Sequence, residues 1–101
     1  MIERITDNEE RLDKLLESIK TLQKDLDNFK LLHNDLVLIN QYYGSKKWFK
    51  DKEKYEKGII KNIKAGVLSE DTVWNMNDDI NDLINDMEDI IKLYKERKNE
   101  E

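Results

Sequence analysis

The sequence predicts an all-α protein, a long antiparallel helical hairpin that resembles a coiled coil, with a short middle helix and three helices in total. Three observations predict this fold class. The 101 residues include no proline and only three glycines, so few residues interrupt a helix. Charged residues make up 41% of the chain and hydrophobic residues 38%. The apolar residues are nevertheless regularly spaced, which separates this chain from a disordered one. The length suits a single domain, residues 1–101, with one modest core.

The first predicted helix covers about residues 3–43. Apolar residues recur every seven positions, and a second set lies three residues behind, which is the a/d heptad pattern of a helix that buries a narrow stripe. His33 and Asn40 fall on a positions where the pattern weakens, as a 3.6-residue helix drifts against a strict seven. We interpret His33 as a polar register residue. A seam this narrow also favours dimerisation. The heptad residues are Ile5, Leu12, Ile19 and Leu26 at a, and Leu15, Leu22, Phe29, Leu36 and Tyr43 at d.

A short second helix is predicted at residues 46–57. Gly44 precedes it and can adopt the left-handed conformation that ends many helices. Ser45 suits the N-cap, because its hydroxyl can accept a backbone N–H that has no partner inside the helix. Gly58 ends the helix, and residues 58–68 are predicted to form a loop.

The third predicted helix covers about residues 70–97. Ser69 can cap it, and the acidic residues Glu70 and Asp71 lie where the helix dipole favours negative charge. Apolar residues then recur three and four apart, so this helix matches the first and predicts the antiparallel hairpin. The residues on this apolar face are Val73, Met76, Ile80, Leu83, Met87, Ile90 and Tyr94, with Trp74, Ile84 and Ile91 beside them.

Half of the eight aromatic residues lie in one segment, "QYYGSKKWFKD", at residues 41–51. We predict that these side chains form an aromatic corner that locks the short helix against the hairpin, while the glycine makes the turn. The residues of this aromatic corner are Tyr42, Tyr43, Gly44, Trp48, Tyr55 and Trp74.

Two stretches are recognisable together. "YYGSKKWFKD" and "GVLSED", with the opening "MIERI", resemble a family of small uncharacterised bacterial proteins, a domain-of-unknown-function family of the Firmicutes type with YYGSxxWxxD and GVLSED motifs. The resemblance covers nearly the whole chain. It implies a fold type and a bacterial setting, and no catalytic role, because the family carries no assigned activity.

The composition argues against most site chemistry. Without cysteine the chain has no disulfide or thiolate chemistry, and one histidine makes no zinc site. Two of the three serines are explained as caps, and the three glycines stand too far apart to cradle a phosphate. We therefore expect no enzyme, no catalytic residue, no cofactor and no metal. The opening residues lack a secretory signal and the longest apolar run is four residues, so we expect a cytoplasmic protein without a membrane span.

Charge is unevenly distributed, and this distribution suggests candidate partner-binding residues. Residues 1–45 carry net −3, residues 46–64 net +5 and residues 65–101 net −7, which add to the whole-chain −5. The basic middle contains a lysine patch among aromatic residues, and the last segment carries an acidic stripe at three- and four-residue steps. The lysine patch is Lys46, Lys47 and Lys50, and the acidic stripe is Asp78, Asp82, Asp86 and Asp89. Either set can also be a solvated helix face.

Three functions remain open. The leading interpretation is a non-enzymatic helical module that binds another protein or a second copy of the chain. An alternative is an acidic, phage-encoded inhibitor of a nucleic-acid-processing enzyme, in which the acidic stripe imitates a phosphate row. A further alternative is a single-stranded nucleic-acid binder in which the lysine patch meets phosphates and the aromatic residues stack on bases. The whole-chain charge and the lack of arginine in the patch count against a nucleic acid.

Overall fold

The computed structural model describes the backbone of residues 1–100 and the side chains of residues 1–97. Within this part of the chain there are four α-helices, one short 3-10 helix and no strand. The predicted all-α class is therefore confirmed, and the predicted count of three helices is wrong. The helices are α1 (Ile2–Leu31), α2 (His33–Tyr42), α3 (Lys46–Glu56) and α4 (Glu70–Glu100), and the 3-10 helix is Gly66–Leu68.

The extra helix arises because the first predicted helix is interrupted at Leu32. The backbone N–H of Leu32 donates to the carbonyl of Phe29, three residues back, at 3.1 Å, and Leu32 adopts φ −88° and ψ 1°. This is the tighter bonding of a 3-10 turn. The helix resumes at once, since the N–H of Leu36 donates to the carbonyl of Leu32 at 3.0 Å. The antiparallel pairing of the two long helices stays a prediction.

The chain divides into two compact units, residues 1–38 and residues 39–101. The first unit is dominated by α1, whose sequence has no glycine or proline to stop it. Glu3 in its first turn and Lys30 in its last turn place charge where the helix dipole favours it. None of its residues is buried.

In the second unit, α3 begins as predicted. Gly44 has φ +78°, a left-handed conformation that glycine adopts without steric cost. Ser45 follows in extended conformation, and its hydroxyl oxygen accepts the backbone N–H of Trp48 at 3.2 Å. The predicted N-cap is confirmed, and the two residues together turn the chain from α2 into α3.

The core of the second unit is small. Trp48 is 3% exposed, Leu68 5% and Val73 1%. They come from α3, the 3-10 helix and the first turn of α4, so three different elements contribute one buried residue each. Ser69, between the last two elements, accepts the backbone N–H of Asp71 at 3.3 Å and caps the start of α4.

Candidate interaction surfaces

The best-defined cluster of contacts is an elbow, which we define as residues 42–52 together with residues 66–73. Trp48 lies at its centre. The indole N–H donates to the carbonyl of Val67 at 2.9 Å. The ring of Tyr43 meets it edge-on at a centroid distance of 5.1 Å, and Phe49 does so at 4.9 Å. Edge-to-face aromatic pairs add stability beyond the area they bury. The indole is therefore held by its polar atom and by two rings.

Within the elbow, two further contacts join Tyr43 and α3 to the start of α4. The hydroxyl of Tyr43 donates to the backbone carbonyl of Glu70 at 2.5 Å. The ammonium of Lys52 lies 2.5 Å from a carboxylate oxygen of the same glutamate and 5.3 Å from the Trp48 ring centroid. The hydrogen bond between the two side chains raises the pKa of Lys52 and lowers the pKa of Glu70. Both groups are thus held in their charged forms over the buried indole.

Further side-chain hydrogen bonds join α2 to α3 and to α4. The hydroxyl of Tyr42 donates to Asp51 at 2.6 Å, which joins the end of α2 to α3. The charged acceptor stabilises the protonated phenol, so this hydrogen bond raises the pKa of Tyr42 to about 12, with burial adding to the effect. The side-chain amides of Asn40 and Asn77 pair in both directions, at 3.2 and 2.8 Å, and join α2 to α4.

The predicted aromatic corner is only partly assembled. Tyr43 and Trp48 are in ring contact, and Tyr42 lies in the same elbow through its bond to Asp51. Tyr55 is 41% exposed and Trp74 is 67% exposed, so the second indole does not share the burial of the first. Phe49 belongs to the ring contacts although the prediction omitted it, and its position next to Trp48 in the sequence was the only available signal.

The lysine patch lies on α3, where Lys46, Lys47 and Lys50 are all exposed. The single-strand interpretation needed aromatic rings beside these lysines to stack on bases. The 3% exposure of Trp48 and its bond to Val67 remove that ring from such a surface. Phe49, which is 60% exposed, remains accessible on the same helix.

The acidic stripe lies along α4, and its four aspartates, at positions 78, 82, 86 and 89, are all exposed. Among the described residues, no group of three or more His, Cys, Asp or Glu side chains is placed to hold a metal ion. The four carboxylates therefore form an exposed row along one face of α4, with successive aspartates three or four residues apart.

Large apolar side chains are exposed along both long helices. On α4 they include Leu83, Ile84, Met87, Ile90 and Ile91. On α1 they form the α1 stripe, which we define as Ile5, Leu12, Leu15, Ile19, Leu22, Leu26 and Phe29. Six of its seven side chains are exposed, and Leu26 is half-buried. Ile19 is 61% exposed, Leu15 56% and Leu22 53%. The heptad pattern predicted that these residues form a buried seam, and it also favoured dimerisation along that seam. Large exposed apolar patches occur at interaction sites more often than elsewhere on protein surfaces, so this row is a candidate interaction surface.

Sequence and structure comparisons add a family assignment. A family model described as "Domain of unknown function (DUF4298)" matches residues 5–90. The match therefore runs over both compact units, 1–38 and 39–101. No curated protein and no solved structure matches the chain. Across the described residues, no helix combines the length and the apolar character needed to cross a bilayer.

Proposed function

The chain belongs to the DUF4298 family, and we propose that it is a non-enzymatic helical interaction module that binds another protein through the α1 stripe. The observation that carries this proposal is the exposure of six large apolar side chains on one face of a single 30-residue helix. Leaving such a face in water costs free energy, at about 25 cal/mol per Å² of apolar surface. A partner that covers the stripe recovers that free energy.

The geometry of the stripe suits a helical partner or a groove. Side chains at a and d positions of one helix form a narrow row, and partners recognise such rows either with a second helix or with an apolar groove. The polar side chains on the remaining faces of α1 keep the unbound helix hydrated. The elbow has a different role in this proposal, because it holds α3 and the start of α4 in place and offers no exposed indole at its centre.

Two serines support the non-enzymatic part of the proposal. The hydroxyl oxygens of Ser45 and Ser69 accept backbone N–H groups at helix starts. A hydroxyl used as a cap is oriented by the backbone and not by a general base, whereas a nucleophilic serine needs such a base within hydrogen-bonding distance.

A matched pair of variants tests the proposal. Leu22→Asp places a charge in the stripe, and Thr21→Asp places the same charge one residue earlier, on a polar face of the same helix. Circular dichroism at 222 nm should show that both variants keep the helical content of the wild type. In affinity capture from the native host, a partner should be retained by the wild type and by Thr21→Asp and lost by Leu22→Asp. Equal retention by both variants would count against the stripe as the binding surface.

The acidic inhibitor remains a second candidate, and the exposure of all four stripe aspartates on α4 favours it. In this function the carboxylates occupy a cleft that normally binds a phosphate backbone. Replacing the four aspartates with asparagine should then abolish binding to a nucleic-acid-processing enzyme while leaving the helical signal unchanged. Unchanged binding would assign the acidic stripe to solvated surface.

A further inference from the structure

We propose that the partner of the α1 stripe is a second copy of this chain, aligned parallel and in register over residues 4–30. This inference rests on the proposed function, since it names the partner of the same surface. It goes further by fixing the orientation and the residue pairing. Three observations on α1 carry it: the residue types at the core positions, the charges beside them and one polar core position.

The core positions have the composition of a parallel two-stranded coiled coil. The a positions alternate between isoleucine and leucine, with Ile5 and Ile19 as the β-branched pair, and Leu15 and Leu22 occupy the central d positions. β-branched residues at a with leucine at d favour two parallel strands over higher oligomers. The stripe ends at Phe29. The carbonyl of Phe29 accepts the backbone N–H of Leu32 at the end of α1. The next two d residues, Leu36 and Tyr43, lie beyond α1 and are half-buried, so the exposed part of the seam is confined to α1.

The flanking charges match in the same arrangement. In a parallel, in-register pair, a residue at g faces the residue five positions later, at e, on the other helix. Arg4 then faces Glu9 of the second copy, while Asp25 faces Lys30 of the second copy. Both pairs have opposite charges, and the two-fold symmetry makes each pair occur twice. Like charges at these positions would have disfavoured the arrangement.

Asn8 is a polar residue in the seam, and only the parallel orientation pairs it with its own counterpart. It occupies the first d position of the pattern and is exposed. In the parallel pair Asn8 meets Asn8 of the second copy, and two amides can hydrogen-bond to each other and fix the register. In an antiparallel pair that keeps the seam aligned, Asn8 instead faces an apolar residue near the other end of the stripe, Leu26. Within one copy the amide of Asn8 donates to the carbonyl of Arg4 at 2.8 Å and accepts from Arg11 at 3.1 Å. The amide–amide contact of the parallel pair adds to these bonds, whereas the antiparallel pair offers the amide no polar partner from the second copy.

A charge exchange tests the register in solution. Asp25→Lys alone places two lysines opposite each other, and Lys30→Asp alone places two aspartates opposite each other. Each single variant should weaken the dimer several-fold in analytical ultracentrifugation at low salt, and the double variant should restore wild-type affinity. In the antiparallel pair that places Asn8 opposite Leu26, g residues face g residues and e residues face e residues. Asp25 then lies opposite Arg11, and Lys30 lies opposite Ile2. The double variant would then bind no more tightly than Asp25→Lys alone. That result would overturn the parallel register.

Disulfide trapping supplies an independent test, because the chain has no cysteine of its own. Asn8→Cys at a core position should cross-link two copies under mild oxidation, since facing core positions meet the short Cα separation that a disulfide needs. Glu17→Cys, on the outer face of the same helix, is the matched control and should remain a monomer on a non-reducing gel. Equal cross-linking of both variants, or of neither, would contradict the in-register pair.

Mass measurement separates this inference from the proposed function. Light scattering should return twice the 12.2 kDa chain mass, and Leu22→Asp should return the monomer mass while Thr21→Asp remains dimeric. A wild-type monomer at all concentrations up to the millimolar range would overturn the second copy as partner. The proposed function would stand in that case if Leu22→Asp, and not Thr21→Asp, still lost a different partner in affinity capture.

Discussion

Replacing Trp48 with phenylalanine should destabilise the folded chain, whereas the same replacement at Trp74 should not. The chain offers this comparison because it has two tryptophans in opposite environments, one 3% exposed and the other 67% exposed. Trp48→Phe keeps an aromatic ring at the centre of the elbow but removes the N–H that donates to the carbonyl of Val67. It also leaves the volume of the larger indole unfilled in a core whose other two buried residues are Leu68 and Val73.

The expected magnitude follows from these two losses. A carbonyl that loses its donor in a partly buried position costs about 1 kcal/mol. The smaller ring leaves a cavity beside a core of only three residues, which adds about 1–2 kcal/mol. The sum for Trp48→Phe is about 2–3 kcal/mol, a large fraction of the roughly 5–15 kcal/mol by which small domains are stable. Trp74→Phe changes an exposed side chain and should stay within about 0.5 kcal/mol of the wild type.

Urea unfolding followed by circular dichroism at 222 nm measures this difference. With a slope of about 1–3 kcal/mol per molar urea, Trp48→Phe should lower the midpoint by roughly 1 M or more, and Trp74→Phe should leave it in place. Each variant also retains one fluorescent indole. The emission of Trp48 should be blue-shifted and protected from acrylamide, while that of Trp74 should be red-shifted and quenched. Equal midpoints for the two variants would refute the assignment of Trp48 as the centre of the elbow.

Three further variants test the turn between α2 and α3 by the same urea assay. Tyr42→Phe should cost about 1 kcal/mol at neutral pH through the lost bond to Asp51. Because folding raises the pKa of Tyr42 from 10.0 to about 12, this contribution is complete below pH 10 and disappears between pH 10 and 12, which ultraviolet titration of the phenol can follow. Gly44→Ala should cost about 1 kcal/mol, since φ is +78° although a Cβ would meet no atom within 4 Å. Gly66→Ala, without positive φ, is its control and should change stability by less than about 0.5 kcal/mol. Ser45→Ala should cost about 1 kcal/mol as the loss of an N-cap.

Features that depend on a few neighbouring residues were predictable from the sequence. The turn at Gly44 and the cap at Ser45 involve contacts across three residues, so residue type and spacing are sufficient to predict them. The bond from Trp48 to Val67 spans 19 residues, and no local pattern indicates which carbonyl an indole will find. No glycine or proline marks the interruption at Leu32. It consists of one backbone hydrogen bond that reaches three residues back, to Phe29, where an α-helix would reach four.

The start of α4 shows a second limit. Val73 and Trp74 both fitted the apolar face of a helix, because neighbouring positions differ by about 100° and a wide stripe accommodates either. The structure buries Val73 to 1% exposure and leaves Trp74 at 67%. Hydrophobicity alone would favour burial of the Trp74 indole over burial of the smaller Val73 side chain. In the elbow Trp48 is the buried indole, and its N–H donates to the carbonyl of Val67. This bond satisfies the polar atom that burial would otherwise penalise.

The two motif segments and the α1 stripe should therefore respond differently to mutation. In the motifs, the polar atoms of Tyr42, Tyr43 and Trp48 are bonded within the elbow, so their removal lowers stability before it can affect a partner. In the α1 stripe, a residue such as Leu22 contributes no buried surface to the elbow, so its replacement by aspartate should spare the fold and abolish binding. Motif variants should consequently have lower unfolding midpoints, and stripe variants should have lower affinity for the partner. If stripe variants melted as early as motif variants, the stripe would be part of the fold, and the binding surface would have to be sought on α4.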